Sequence, residues 1–257
     1  MDLGLKDKVA LITGAGSQIG FGHATALTMA KEGCHVIVND INLEGAEKTA
    51  AEIRSLGNRA IAVRADVGNS VQINEMVETA MAEFGRIDIL VNNAGAGGAG
   101  GPIHLTREED WETTISLLFK GVMNCTKAVL PQMLERGYGK IVNIASGLGR
   151  TGSPNNSVYA SCKGAVIAFT KSVAAEVADK GINVNCVCPG LSTTNFLRGP
   201  DGKIRNPEMV ENVRLSLPLK RLTEPQDIAN MVTFLVSDVA SDIVGQPISV
   251  NGGNSMI

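Results

Sequence analysis

The chain has 257 residues, 44% of them hydrophobic and 19% charged, with a formal net charge of −3. That composition supplies a large buried core and argues against disorder. There is no basic stripe for nucleic acid. No apolar run approaches the ~18 residues of a membrane span, and Met1 to Lys8 lack the apolar heart of a signal peptide, so a cytoplasmic protein with no nucleic-acid and no membrane partner is expected.

Taken in order, the chain alternates short β-branched runs with longer helical spacings. Strands are predicted at Val9–Thr13, His35–Asp40, Ala60–Arg64, Ile87–Asn92, Lys140–Ala145, Asn183–Cys188 and Pro247–Val250. Helices are predicted at Gly22–Glu32, Leu43–Leu56, Ser70–Phe84, Glu108–Glu135, Val158–Lys180 and Pro225–Val236. Runs such as Ile87-Asp88-Ile89-Leu90-Val91 are apolar almost throughout, as in strands covered on both faces of a parallel sheet. The expected fold is a single α/β domain over residues 1–257. It is a Rossmann-type, doubly wound parallel sheet of about seven strands with helices on both faces. Two stretches break the pattern: Ala94–Pro102, and Leu191–Pro207 with its Gly199-Pro200-Asp201-Gly202. Each follows a strand, at the sheet end where open α/β folds bind ligands. A substrate loop is therefore expected at about residues 191–215.

The first strand runs into Thr13-Gly14-Ala15-Gly16-Ser17-Gln18-Ile19-Gly20-Phe21-Gly22 and then a helix. Glycines at such a turn let backbone approach a pyrophosphate, and the helix N-terminus favours anionic charge. Gly14, Ser17, Gly20 and Phe21 are the candidate contacts. Asp40 closes the second strand, 20 residues after Gly20. A carboxylate there accepts from the adenosine ribose hydroxyls and repels a 2′-phosphate. No Arg or Lys lies in the glycine loop or directly after Asp40, so the expected cofactor is NAD and not NADP. The plainer alternative is that Asp40 only caps a helix.

Tyr159 and Lys163 lie four residues apart in a predicted helix and so share a face. An unperturbed phenol has a pKa of about 10, and an ammonium beside it favours the phenolate. The pair then suits general acid–base work on an alcohol or ketone. Ser146, at the end of the fifth predicted strand, offers a hydroxyl to the same substrate oxygen. Taken alone, such a Tyr–Lys pair is equally a surface pair. Five scattered cysteines without a C-x-x-C read as small apolar fillers held reduced. His23, His35 and His104 have no metal-ligand spacing, so no metal site is expected.

Together, Thr13-Gly14, Asp66-Val67, Asn92-Asn93-Ala94-Gly95, Ser146, Tyr159-x-x-x-Lys163, Pro189-Gly190 with Thr194, and Gly245-Gln246 with Gly252-Gly253 resemble the short-chain dehydrogenase/reductase family from Leu5 to Met256. Within it the chain is similar to 3-ketoacyl reductases and 2-hydroxycyclohexanecarboxyl-CoA dehydrogenases. The resemblance implies that Asp66 and Val67 flank the adenine, and that Asn93, Ala94 and Gly95 line the cofactor. It implies that Pro189, Gly190 and Thr194 hold the nicotinamide carboxamide, and that Lys163 also meets the nicotinamide ribose. It further implies a homotetramer packed through the long fourth and fifth helices.

The chain departs from the family pattern twice. The phosphate loop is two residues longer, with Ala15 to Ile19 before Gly20-Phe21-Gly22. Leu118, seven residues after Trp111, stands where relatives carry an Asn that holds a water linking the lysine to solvent. A leucine cannot do this; either Ser116 or a backbone carbonyl holds a displaced water, or the relay is absent. The leading expectation is NAD-dependent interconversion of a small or cyclic secondary alcohol and its ketone. The substrate would be shaped by Ala96–Pro102, Gly147, Leu148, Leu191 and the loop around Phe196. A second reading is a β-hydroxyacyl-CoA or acyl-carrier-protein thioester, with Arg150, Arg198, Lys203 and Arg205 available to its phosphates. A third is a non-catalytic dinucleotide-sensing protein.

Overall fold

In a computed structural model, Val9–Thr13 forms β1 and is buried along its whole length. Residues 1–198 and 202–257 are described. Gly199, Pro200 and Asp201 of the expected substrate loop lie outside the described residues. The strands that follow are β2 (His35–Asp40), β3 (Ala60–Arg64), β4 (Ile89–Asn92), β5 (Gly139–Ile144), β6 (Ile182–Pro189) and β7 (Pro247–Val250). They form one parallel sheet in the order β3-β2-β1-β4-β5-β6-β7. The chain starts in the middle at β1, winds to β3 at one edge, then crosses over to β4. The topological switch point therefore falls between β1 and β4, and a crevice opens beyond their carboxyl ends.

Alternate residues of the strands feed two cores. On one face Ala10, Ile12, Val36 and Val38 pack with Met29 of α1 (Phe21–Lys31), Ile53 of α2 (Leu43–Ser55) and Val232 of the last long helix, Pro225–Leu235. On the other, Leu11, Ile37 and Leu90 pack with Ile73 and Met76 of α3 (Ser70–Phe84), and with Cys125 and Val129 of the long helix before β5. Each fully buried large side chain stabilises the fold by about 1.5–3 kcal/mol. Local signals set the helix starts: Asn42 caps α2 by accepting from Gly45 N, and Asn69 caps α3 by accepting from Val71 N and Gln72 N.

Several elements differ from expectation. β4 begins at Ile89 rather than Ile87, because the Asp88 carboxylate itself accepts from Val9 N (2.9 Å) and from Arg86 and Arg136. The helix expected over Glu108–Glu135 is divided into α4 (Glu108–Ile115), a π-helical turn (Ser116–Lys120) and α5 (Gly121–Arg136). A single π turn is too short to stand out in the apolar pattern, so the sequence alone hides it. Beyond β5 come α6 (Leu148–Thr151) and α7 (Ser157–Val177), the latter ending in a 3₁₀ turn at Ala178–Lys180. A further helix, α8 (Pro207–Ser216), occupies part of the expected substrate loop; Asn206 caps it and a proline starts it. The last long helix is α9 (Pro225–Leu235). Among the described residues, no helix is long and apolar enough to cross a membrane.

Candidate active site

The turn after β1 is braced from β4. Thr13 Oγ1 accepts from the backbone N–H groups of Asn93 and Ala94 at 3.0 Å each. Asn93 Nδ2 donates to the carbonyls of Thr13 (2.8 Å) and Gly14 (2.9 Å). The Asn93 side chain thus holds the turn itself. Gly14 has φ +64°, and a Cβ there would lie 2.6 Å from Ala94 Cα. α1 starts at Phe21 after Gly20, with no side-chain cap and no acid in its first turn. Its N-terminal amides therefore remain available to an anion.

The longer loop has its own anchors. Gln18 Nε2 lies 3.1 Å from Gly16 O, 3.2 Å from Gly45 O and 3.1 Å from Thr49 Oγ1, which ties the loop to α2. Asp40 Oδ2 accepts from Gly16 N (2.8 Å) and Oδ1 from Asn42 N (3.0 Å). A carboxylate has about four acceptor sites, so two remain for a diol. Asp66 Oδ1 accepts from Gly68 N (2.8 Å), and buried Val67 has its carbonyl held by Asn124 Nδ2 (2.9 Å). An open helix end, a glycine turn and a half-engaged carboxylate fit a dinucleotide lying across the crevice.

At the other end of the crevice, Ser146 lies just past β5, 8% exposed, and its hydroxyl accepts from Leu148 N (3.2 Å). One helical turn separates Tyr159 from Lys163 on α7. Lys163 is 5% exposed; its Nζ donates to Ile144 O at 2.7 Å and lies 6.0 Å from the Tyr159 ring centroid. Burial lowers the lysine to about 8. The Tyr159 phenol is pushed above its usual value by burial, with the Ser146 hydroxyl pulling the other way. The expected lowering of the phenol by Lys163 does not prevail in the protein alone, because desolvation disfavours the phenolate more strongly than the site's donors favour it.

Fully buried Leu118 walls the lysine. A Cβ on Gly95 would lie 3.3 Å from Leu118 Cδ2 and 3.9 Å from Lys163 Nζ, so both flank Gly95. Ser116 faces elsewhere: its hydroxyl would lie 2.6 Å from a Cβ on Gly68, at the adenine end. Ser116 is therefore not placed to substitute for the missing Asn, and the Ile144 carbonyl accepts from the lysine itself.

Pro189 ends β6, and Gly190 follows with no room for a side chain: a Cβ would lie 2.8 Å from both Asn251 Cα and Thr223 Oγ1. Thr194 accepts from Phe196 N (3.4 Å) and caps the short turn Asn195–Leu197. From that turn Phe196 tilts over Tyr159, with ring centroids 5.8 Å apart. Ala96–Pro102 lies opposite, with Gly101 N donating to Asn155 O (2.8 Å) and a Cβ on Gly97 falling 3.9 Å from the Phe196 ring. The cations suggested for thioester phosphates separate. Arg150 donates to Pro247 O and Ser249 Oγ and is spent on β7. Arg198 and Arg205 are engaged by nearby backbone, through Arg198 Nη1 to Gly202 O and Arg205 Nε to Arg198 O, and Arg198 pairs with Ile204 in a single antiparallel bridge. Lys203 is exposed.

All five cysteines are buried and unpaired by disulfides. His23 meets Glu52, His35 stacks on Phe84, and His104 is exposed. Among the described residues, no group of His, Cys, Asp or Glu is placed to hold a metal ion. The sequence reading missed Gly16, which fixes Asp40, and Asn195, whose Nδ2 donates to Ser17 Oγ at 2.9 Å. The glycine-rich turn was a signal for the first; nothing local signals a contact across 178 residues.

Known proteins with this architecture narrow the chemistry. A family profile described as enoyl-(acyl carrier protein) reductase matches residues 14–255. The chain is 41% identical over 255 residues to the (2S)-[(R)-hydroxy(phenyl)methyl]succinyl-CoA dehydrogenase subunit BbsD of Thauera aromatica, covering 99% of each protein. It is 39% identical over 251 residues to the 3-oxoacyl-[acyl-carrier-protein] reductase FabG of Staphylococcus epidermidis, covering 97% of this chain and 100% of that protein. Among solved structures it resembles an NAD+-bound xylitol dehydrogenase, with TM-score 0.89, 32% identity, and coverage of 97% of this chain and 99% of that one. It also resembles a levodione reductase, with TM-score 0.90, 34% identity, and coverage of 96% and 97%.

Proposed function

The chain belongs to the short-chain dehydrogenase/reductase family, as an oxidoreductase of the alcohol–ketone pair, and from that premise we propose that it is NAD-dependent and uses Tyr159 as its general acid/base. The observation that carries this reading is the convergence of Ser146, Tyr159 and Lys163 at the carboxyl end of the sheet, across the crevice from the open N-terminus of α1. When bound, the nicotinamide supplies or accepts the hydride. In oxidation, Tyr159 takes the hydroxyl proton of the alcohol, and in reduction it returns a proton to the ketone oxygen. Ser146 donates a hydrogen bond to that oxygen, where charge develops. Lys163 supplies positive charge beneath the phenol and, with Asn93 to Gly95, Pro189, Gly190 and Thr194, bounds the nicotinamide end. Gly14, Ser17, Gly20 and Phe21 face the phosphates, and Asp66 and Val67 the adenine. Asp40 selects NAD by accepting from the ribose diol. We assign the protein to the cytoplasm as a homotetramer.

The leading substrate is a small or cyclic secondary alcohol. A second reading, a β-hydroxyacyl thioester of CoA or acyl carrier protein, draws on the names of the relatives above. The test supplies NAD+ and NADP+ in parallel with a panel of secondary alcohols and 3-hydroxyacyl-CoA thioesters, and follows reduced cofactor. NADH from at least one class is expected. Turnover with NADP+ alone would overturn the cofactor assignment, and turnover of thioesters alone would select the second reading.

A further inference from the structure

β1 and β6 are not neighbours in the sheet, since β4 and β5 lie between them. At about 4.8 Å per strand, their ends stand roughly 14 Å apart. Yet Asn195, in the turn beyond β6, donates to Ser17, in the loop beyond β1, at 2.9 Å. A side-chain hydrogen bond thus spans the crevice above β4 and β5. Each end has its own local contacts. Gln18 ties the Ser17 loop to α2, and Gly20 N closes the loop on Ser17 O (2.8 Å). Thr194 caps the Asn195 turn, and buried Leu197 anchors it, its carbonyl accepting from Arg205 N (2.9 Å).

We propose that the Ser17–Asn195 hydrogen bond is a latch across the dinucleotide crevice, which must open for the cofactor to enter or leave. The inference rests on the family's NAD(P) site occupying this crevice and does not depend on the choice between NAD and NADP. The longer phosphate loop supplies the latch's fixed half. The half that opens is Asn195 with Phe196, hinged on buried Leu197, and the Phe196 ring stands over Tyr159. Opening at Asn195 therefore also draws Phe196 off Tyr159, so cofactor exchange and access to the reacting centre are coupled through one short turn. Because Ser17 Oγ accepts from Asn195, its own O–H stays free to donate to an anionic oxygen.

A gate and a simple contact differ kinetically. Losing a contact speeds release alone and weakens binding, whereas losing a gate speeds entry and release together. The test measures association and dissociation of NADH or NADPH, whichever the protein binds, by the cofactor's own fluorescence in stopped flow. Wild type is compared with Ser17→Ala, Asn195→Ala and the double variant. Both rates should rise about threefold to tenfold in Asn195→Ala, the size of one hydrogen bond, while Kd stays within about twofold. The double variant should be no faster than the faster single variant. Unchanged rates or a rise in dissociation alone in Asn195→Ala, or effects that multiply in the double variant, would each overturn the latch. A preference for NADPH would count against the Asp40 assignment and leave this test intact.

Discussion

Lys163 reaches down from α7 to donate to the carbonyl of Ile144, the last residue of β5, at 2.7 Å. A neutral peptide dipole thus receives a buried ammonium walled on one side by Leu118. Holding a charge there is costly, which is why burial lowers the lysine from 10.5 to about 8.

The stability of the cofactor-free protein should carry that cost. Between about 8 and about 10.5 the unfolded chain keeps the Lys163 proton and the folded chain has lost it, so this group makes stability rise with pH across that window. Below 8 the full penalty applies, about 3 kcal/mol. Lys163→Met removes it. Urea unfolding across pH should find the variant's advantage over wild type largest near neutrality and shrinking as pH rises from 8 to 10.5. A gap independent of pH would show that Lys163 is not desolvated.

Leu118→Asn tests the missing relay. Ser116 faces Gly68, so the expected bypass is a water held by a backbone carbonyl near Lys163, and the site should then work without an amide at 118. The variant should leave kcat nearly unchanged and cost about 1–3 kcal/mol for burying a polar group in an apolar niche. The readout is kcat with its solvent isotope effect across pH, alongside thermal unfolding. A higher kcat with a smaller isotope effect would show that proton exchange had been limiting.

Asp40 should set cofactor choice. Asp40→Ser with Ile41→Arg removes a carboxylate and adds a phosphate partner, and should move the ratio of kcat/KM for NAD+ and NADP+ toward NADP+ by about tenfold or more. The ratio is read from initial rates with each cofactor. A wild type that already prefers NADP+ would contradict the assignment.

Gly16 should act through Asp40. A Cβ at residue 16 would lie 2.9 Å from Asp40 Cβ and Cγ and equally close to Ala46 N, so Gly16→Ala must displace the carboxylate or α2. Overpacking of this kind costs about 1–3 kcal/mol. KM for NAD+ should rise with little change in kcat, and discrimination against NADP+ should weaken. A loss of stability with unchanged discrimination would leave Gly16 a packing residue only.

The strands were legible because runs such as Val9–Thr13 are apolar and β-branched, and the order of acid, glycine turn and Tyr–Lys pair placed the site at one sheet end. What escaped notice depends on contacts between distant residues. Asp88 takes Val9 N and so shortens β4, which no local pattern shows. α8 hid behind Gly199–Gly202, although Asn206-Pro207 spells a helix start. Arg150 was readable as a partner for thioester phosphates, but it is bonded to β7 instead. The phenol's upward shift follows from burial, and residue spacing carries no measure of burial.

Tyr159→Phe tests the central claim most directly, with steady-state turnover and NADH binding measured on the same preparation. The ring and its contact with Phe196 are kept while the transferable proton is lost. Turnover should fall by about a hundredfold to ten-thousandfold, with the dissociation constant for NADH nearly unchanged. Turnover within about tenfold of wild type would contradict Tyr159 as the group that moves the proton.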